Sequence, residues 1–135
     1  MTSIRESVHD LHDDSIDLKK VIEESISTVD SRFTVSLDCD VTGNMPGNVK
    51  LCIIGVVKEG LSNAVKHSNG DRIFIVIREH PAFYQLMLED NGSCSEIKES
   101  GIGLKNMQDR AAALSGRISF TPSPEGFRIF MSVPK

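Results

Sequence analysis

A chain of 135 residues and 14.8 kDa suits one domain, and by the usual surface scaling it buries about two-thirds of the surface its unfolded form exposes, so it needs no covalent staples. Lys and Arg number 15 against 19 Asp and Glu for a net charge of −4, and no segment gathers the positive charge, which excludes a nonspecific nucleic-acid face. Cys39, Cys52 and Cys94 are odd in number and lack Cys-x-x-Cys spacing, so neither a disulfide framework nor a structural zinc site is expected and a reducing, cytosolic setting is.

Ile4, Val8 and Leu11, then Leu18, Val21, Ile22 and Ile26, recur at steps of three and four, which predicts helix in two pieces broken near Ser15. The first piece has too narrow an apolar stripe to hold itself together in water. Phe33, Val35, Leu37, Cys39 and Val41 alternate with polar residues and predict a half-buried strand over Arg32 to Val41. A turn cluster around Pro46 leads into the strongest helix, Asn48 to Ser68, on Leu51, Ile54, Val57, Leu61 and Val65. Ser68-Asn69-Gly70 stops it, with a residue able to adopt positive φ.

Two β-rich runs, Arg72 to Glu79 and Phe83 to Glu89, read as an antiparallel pair joined at His80-Pro81-Ala82. Asp90 to Gly103 is a long loop, of the kind that is usually functional. A helix from Leu104 to Leu114 closes on Ser115-Gly116, and strands Arg117 to Thr121 and Phe127 to Val133 flank a Pro-Ser-Pro-Glu-Gly turn. Helices interleaved with mainly antiparallel strands predict an α/β two-layer sandwich. The longest apolar stretch, Leu51 to Val57, falls far short of the roughly 20 residues of a membrane span, and no signal peptide is read.

Glu59, Asn63 and His67 are spaced by four on the strong helix, with Lys66 beside them, and so share one side. Such a stripe is either a site or a solvated face. Asn63 favours the site, because Asn in mid-helix is a poor helix former and its carboxamide oxygen suits Mg²⁺. Asp90-Asn91-Gly92 ends an apolar strand, where a carboxylate can meet a ligand at the sheet edge, although alone it reads more readily as a common turn. Gly101-Ile102-Gly103 precedes a helix, so backbone N–H groups there can approach anionic oxygens.

Taken in order, Glu59-Gly-Leu-Ser-Asn63-Ala-Val-Lys66-His67, Asp90-Asn91-Gly92 and Gly101-Ile102-Gly103-Leu104-Lys105-Asn106-Met107 resemble the N, G1 and G2 boxes of the histidine-kinase ATPase family, within the GHKL superfamily. The continuation Gln108-Asp109-Arg110-Ala111-Ala112-Ala113-Leu114-Ser115-Gly116 is similar to sensor kinases of the nitrate-sensor and thermosensor class. The resemblance covers Ser31 to Lys135. It implies a Bergerat-type ATP-binding fold with a mixed, mainly antiparallel sheet over residues 31–135, with residues 1–30 a remnant of a dimerisation helix and linker.

By that resemblance Asn63 would hold Mg²⁺ and Glu59 would orient water or metal. Lys66 and His67 would lie near the ATP phosphates, and Asp90 would accept a hydrogen bond from the adenine amine. Gly92 would let the backbone approach the base. Gly101 and Gly103 would hinge a short lid, Ile102 and Leu104 would join them in binding ATP, and the N-terminus of the helix from Leu104 would face the phosphates. Cys94 replaces the second G1 glycine. Phe127 replaces a hydroxyl residue usual near the adenine, which leaves Asp90 to rely on ordered water or another group.

His9-Asp10 and His12-Asp13 look like a phosphoacceptor pair, but a strand and half of the ATP helix fill about half the stretch between His12 and Asn63, leaving no room for a full hairpin. The implied protein is therefore the catalytic fragment of a sensor kinase, cytoplasmic and monomeric by itself. Its partners would be the phosphoacceptor domain of a homodimeric parent and a response regulator. An anti-sigma-factor-like serine kinase and a non-catalytic nucleotide-sensing module remain as alternatives.

Overall fold

In a computed structural model, residues 16–42, 44–93 and 102–135 are described. The expected helical piece around Ile4, Val8 and Leu11, with His9 and His12, lies outside them, as do Cys94 and Gly101. Asp17 opens the first described helix, α1 (Leu18–Ser27), by accepting the Lys20 N–H at 3.2 Å. Strand β1 (Thr34–Asp40) follows, and then the long helix α2 (Gly47–His67), at whose start the Pro46 carbonyl accepts from Val49 and Lys50. The hairpin β2 (Arg72–Glu79) and β3 (Phe83–Asp90) comes next, then α3 (Ile102–Ala113), β4 (Arg117–Ser123) and β5 (Gly126–Pro134). Each described element matches its sequence expectation to within a few residues. The Pro-rich segment differs most, because both strands run into it until only Pro124 and Glu125 turn the chain.

The strands form one sheet in the order β1-β2-β3-β5-β4, with β1 parallel to β2 and the remaining pairs antiparallel. Parallel neighbours need a crossover, and α2 supplies it between β1 and β2. The segment carrying α3 likewise returns the chain across β5 to β4. Ile73, Ile75 and Ile77 of β2, Leu86 and Leu88 of β3, and Ile129, Met131 and Val133 of β5 are buried on one sheet face. Helix α2 packs Val49, Ile53, Val56, Val57 and Ala64 into the same core, α3 adds Met107 and Ala111, and α1 adds Leu18 and Ile22. On the other face Phe74 and Phe130 remain exposed. This is the expected two-layer α/β sandwich. No described helix is long and apolar enough to cross a membrane.

Two helix ends depart from expectation. The positive φ expected after α2 is absent: Ser68 is extended, at φ −87° and ψ 139°, and the only described residue with positive φ is Ser115, at 58°. Ser115, not Gly116, thus turns the chain out of α3. Gly116 is glycine because a Cβ there would press on the Ser132 carbonyl. Helix α3 also begins at Ile102, so Gly103 lies inside its first turn rather than ahead of it as a hinge.

At one end of the sheet, Glu79 accepts from the Thr42 N–H and hydroxyl at 2.8 and 2.7 Å and from Lys135 Nζ at 2.6 Å. These donors, Lys135 foremost, lower its pKa from 4.5 to about 2. A depressed carboxyl contributes stability above its unfolded pKa and loses that contribution as the pH falls through the folded value. Glu79→Gln is expected to be less stable than the parent at pH 7, with the gap in urea midpoint closing as pH falls from about 4.5 towards 2; a gap that stays constant with pH contradicts this role.

Candidate functional site

The end of α2 and the end of β3 meet because β2 and β3 are matched in register, Ile73 opposite Asp90. The residues before β2 therefore lie beside those after β3. Asp90 is only 5% exposed. Its Oδ1 accepts from the Ser68 hydroxyl and from the Gly92 N–H, each at 2.9 Å. Ser68 Oγ in turn accepts from the Gly70 N–H at 3.0 Å. No described group donates to Asp90 Oδ2. Since no described buried side-chain atom lacks a partner, that oxygen keeps contact with solvent. The result is a nearly buried carboxylate with one oxygen saturated and the other open.

Around this pair the two turns are stitched together. Asn91 Oδ1 accepts from the Asp71 and Arg72 N–H groups, both at 2.9 Å, and its Nδ2 donates to Asp71 Oδ1 at 2.8 Å. Asn69 donates to Ser93 Oγ at 3.1 Å and accepts from the Ser93 N–H at 2.8 Å. The backbones approach so closely that a Cβ on Gly70 would collide with Asn91 and the Gly92 nitrogen, and one on Gly92 with Ser68 Oγ. Close approach, not left-handed backbone, is what requires glycine at both positions. From the segment before β1, the Arg32 guanidinium donates to the carbonyls of Val65 and Ser68 at 2.8 and 3.0 Å. It places a cation on the last carbonyls of α2, where the helix dipole favours it.

Asn63 lies five residues before Ser68, about 7.5 Å along the helix axis. Gly55, Glu59 and Asn63 climb one flank of α2 in steps of four, and a Cβ on Gly55 would stand 2.7 Å from Arg110 Cζ of α3. That flank is the one α3 covers. Glu59 and Asn63 are half-buried, and neither side chain is hydrogen-bonded to a described residue. His67 is exposed at the last position of α2. Lys66 is exposed. With Val21, Ser25, Thr28, Ser62 and Val65 it lines a groove of about 490 Å³ between α1 and α2.

The structure joins the end of α2, at Ser68, to Asp90 and Gly92, while Asn63 lies more than a turn and Glu59 more than two turns back along α2. Leu104 is half-buried in the first turn of α3. The described side chain that donates to Asp90 is Ser68. Ser68, Asn69, Asn91 and Arg32 are the site residues that sequence reading missed. A signal existed: Ser-Asn-Gly and Asp-Asn-Gly bracket a hairpin whose strands are of equal length, which places the two triplets side by side. Burial pushes the thiols of Cys39 and Cys52 up, so neither is an activated nucleophile.

A mixed five-stranded sheet with helices packed on one face is a fold shared with solved histidine-kinase domains. The catalytic domain of histidine kinase ThkA has this fold, with a TM-score of 0.70 at 14% identity over 89% of this chain and 93% of that one. In sequence, the chain is 24% identical to the signal transduction histidine-protein kinase/phosphatase DegS of Brevibacillus brevis over 99% of its own length and 37% of the relative's. It is 26% identical to the sensor histidine kinase YxjM of Bacillus subtilis strain 168 over 81% of its own length and 28% of that protein's. The chain therefore spans between about a quarter and little more than a third of the curated relatives it matches. No family model matches it.

Gly92→Ala is expected to cost about 1–3 kcal/mol, because the new methyl must push Ser68 off Asp90 in a packed place. Urea unfolding measures the loss, and an unchanged midpoint contradicts the close approach.

Proposed function

We propose that this chain is the ATP-binding catalytic domain of a sensor histidine kinase of the nitrate-sensor and thermosensor class, with residues 31–135 forming the domain and residues 1–30 the end of a dimerisation helix and its linker. The observation that carries this reading is Asp90: a carboxylate that is 5% exposed, fixed through Oδ1, with Oδ2 open beside the end of the helix that bears Asn63. An open acceptor in a nearly dry place selects a ligand that brings a donor. The exocyclic amine of adenine is such a donor, whereas guanine brings a carbonyl to the same point and is repelled. Gly92, whose N–H donates to Asp90 Oδ1 at 2.9 Å, would border the base by sequence match.

Glu59 and Asn63 offer unengaged oxygens on one flank, and no described cluster of three His, Cys, Asp or Glu side chains is present to cage a metal. Such a donor pair fits Mg²⁺, which keeps several waters and is shared with phosphate oxygens. Mg²⁺ when bound supplies neutralisation of the phosphate charge. Asn63 and Glu59 would hold it. His67 and the N-terminus of α3, with Gly101, Ile102, Gly103 and Leu104, would border the phosphates. Lys66 joins that set by sequence match, and it also lines the groove between α1 and α2.

The reaction is transfer of the ATP γ-phosphoryl group to a histidine on a separate dimerisation domain. An imidazole nitrogen forms the new bond to phosphorus while the bond to the bridging oxygen breaks and ADP leaves. This domain's task is positioning and charge neutralisation, which needs no covalent residue of its own. The parent would be a homodimer that passes the phosphoryl group to a response regulator.

Titration with ADP and ATP, with and without Mg²⁺, tests the reading. Asp90→Asn is expected to weaken binding about tenfold or more, as loss of a charged hydrogen bond does, and Asn63→Asp to change the Mg²⁺ dependence. Absence of binding at millimolar nucleotide contradicts the proposal. Adding a phosphoacceptor hairpin in trans should give acid-labile phosphate; acid-stable phosphate points instead to a serine kinase.

A further inference from the structure

We infer that Ser68 is a positioning residue for base selection: its hydroxyl holds the Asp90 carboxylate in the one orientation that leaves Oδ2 free for a donor on the base. The inference rests on the assignment of Asp90 to adenine.

A carboxylate can rotate so that either oxygen faces out, and each oxygen can accept more than one hydrogen bond. Here both protein donors use the same oxygen. The Gly92 N–H and the Ser68 hydroxyl converge on Oδ1, each at 2.9 Å. The direction of the Ser68 proton is itself set, because Oγ accepts from the Gly70 N–H at 3.0 Å and has its proton left for Asp90. The chain of donors therefore runs from Gly70 to Ser68 to Asp90. Its first two members come from the end of α2 and the last from the end of β3.

Ser68 cannot drift from this place. Its N–H donates to Ala64 O at 2.9 Å, and its own carbonyl accepts from Arg32 at 3.0 Å. Removing the hydroxyl takes one of two bonds from Oδ1 and leaves the Gly70 N–H without its acceptor. The carboxylate is then held by Gly92 alone and is free to turn or to draw in water. Discrimination between bases should suffer more than overall affinity, because this chain of bonds orients only the oxygen assigned to the base.

The test compares ADP with purine riboside 5′-diphosphate, which lacks the exocyclic amine, by calorimetric titration of the full chain. Ser68→Thr and Ser68→Val are nearly the same shape and differ in the hydroxyl, so a shared folding defect does not mask the result. The parent chain and Ser68→Thr are expected to prefer ADP by about tenfold or more, the worth of a hydrogen bond to a charged group. Ser68→Val and Ser68→Ala are expected to lose most of that preference with little change in affinity for the purine probe. Equal weakening of both nucleotides by Ser68→Val, or an undiminished preference, overturns the role of Ser68 and leaves the Asp90 assignment standing. No preference in the parent chain overturns that assignment, and this inference with it.

Discussion

The hydrogen bond from Ser68 to Asp90 joins the end of the long helix α2 to the end of the central strand β3. On one side is the C-terminal end of a long helix carrying a half-buried amide and carboxylate. On the other is the end of a central strand carrying a nearly buried acid. Neither is a site by itself. An Asp at a strand end is ordinarily a turn residue, and a Glu-Asn-His stripe on a helix is ordinarily a wet face. Joined, they enclose a polar corner in which every described buried side-chain atom is satisfied and one carboxylate oxygen is left open. Such a corner is a ready acceptor, because an ordered low-dielectric surround makes a hydrogen bond strong when formed and costly when left unmade.

Packing beneath the corner makes the junction possible. Helix α2 can lie close over β3 and β5 because Gly60 faces them: a Cβ there would come within 2.9 Å of Leu88 and 3.2 Å of Ile129. Leu88 and Ile129 are fully buried, and Leu88 precedes Asp90 by two residues on the same sheet face. Strand periodicity thus carries the core row straight into the acid. Arg32 fixes the far end of the helix by engaging two of its last carbonyls, while Asn91 pins its own turn to the start of β2. Small residues set the approach, apolar rows set the depth, and polar side chains lock the ends.

The fold was legible in the sequence for the reason that periodic patterns usually are. Leu51, Ile54, Val57, Leu61 and Val65 permit only a helix, and Phe33 to Val41 only a half-buried strand. The strand ends beside the Pro-rich turn were drawn short because local turn chemistry at Pro122 and Ser123 yields to pairing with Phe127 and Gly126. The site was legible in part. Asn63 and Asp90 stand out by residue type and order, but nothing local to Ser68 reveals a partner 22 residues away. Its role depends on hairpin register, which is a tertiary fact. The stop of α2 misled for a related reason: Gly70 resembles a left-handed cap in sequence, yet serves to let two backbones touch.

The central claim is that one nucleotide is held jointly by the end of α2 and the end of β3. Backbone amide chemical shifts, followed by NMR as a nonhydrolysable ATP analogue and Mg²⁺ are added, test it most directly. The account predicts that amides of Asn63 to Gly70 and of Asp90 to Ser93 shift together along one saturating curve, with the α1 face of α2 little changed. Shifts confined to the groove between α1 and α2, or movement of only one of the two segments, would contradict it.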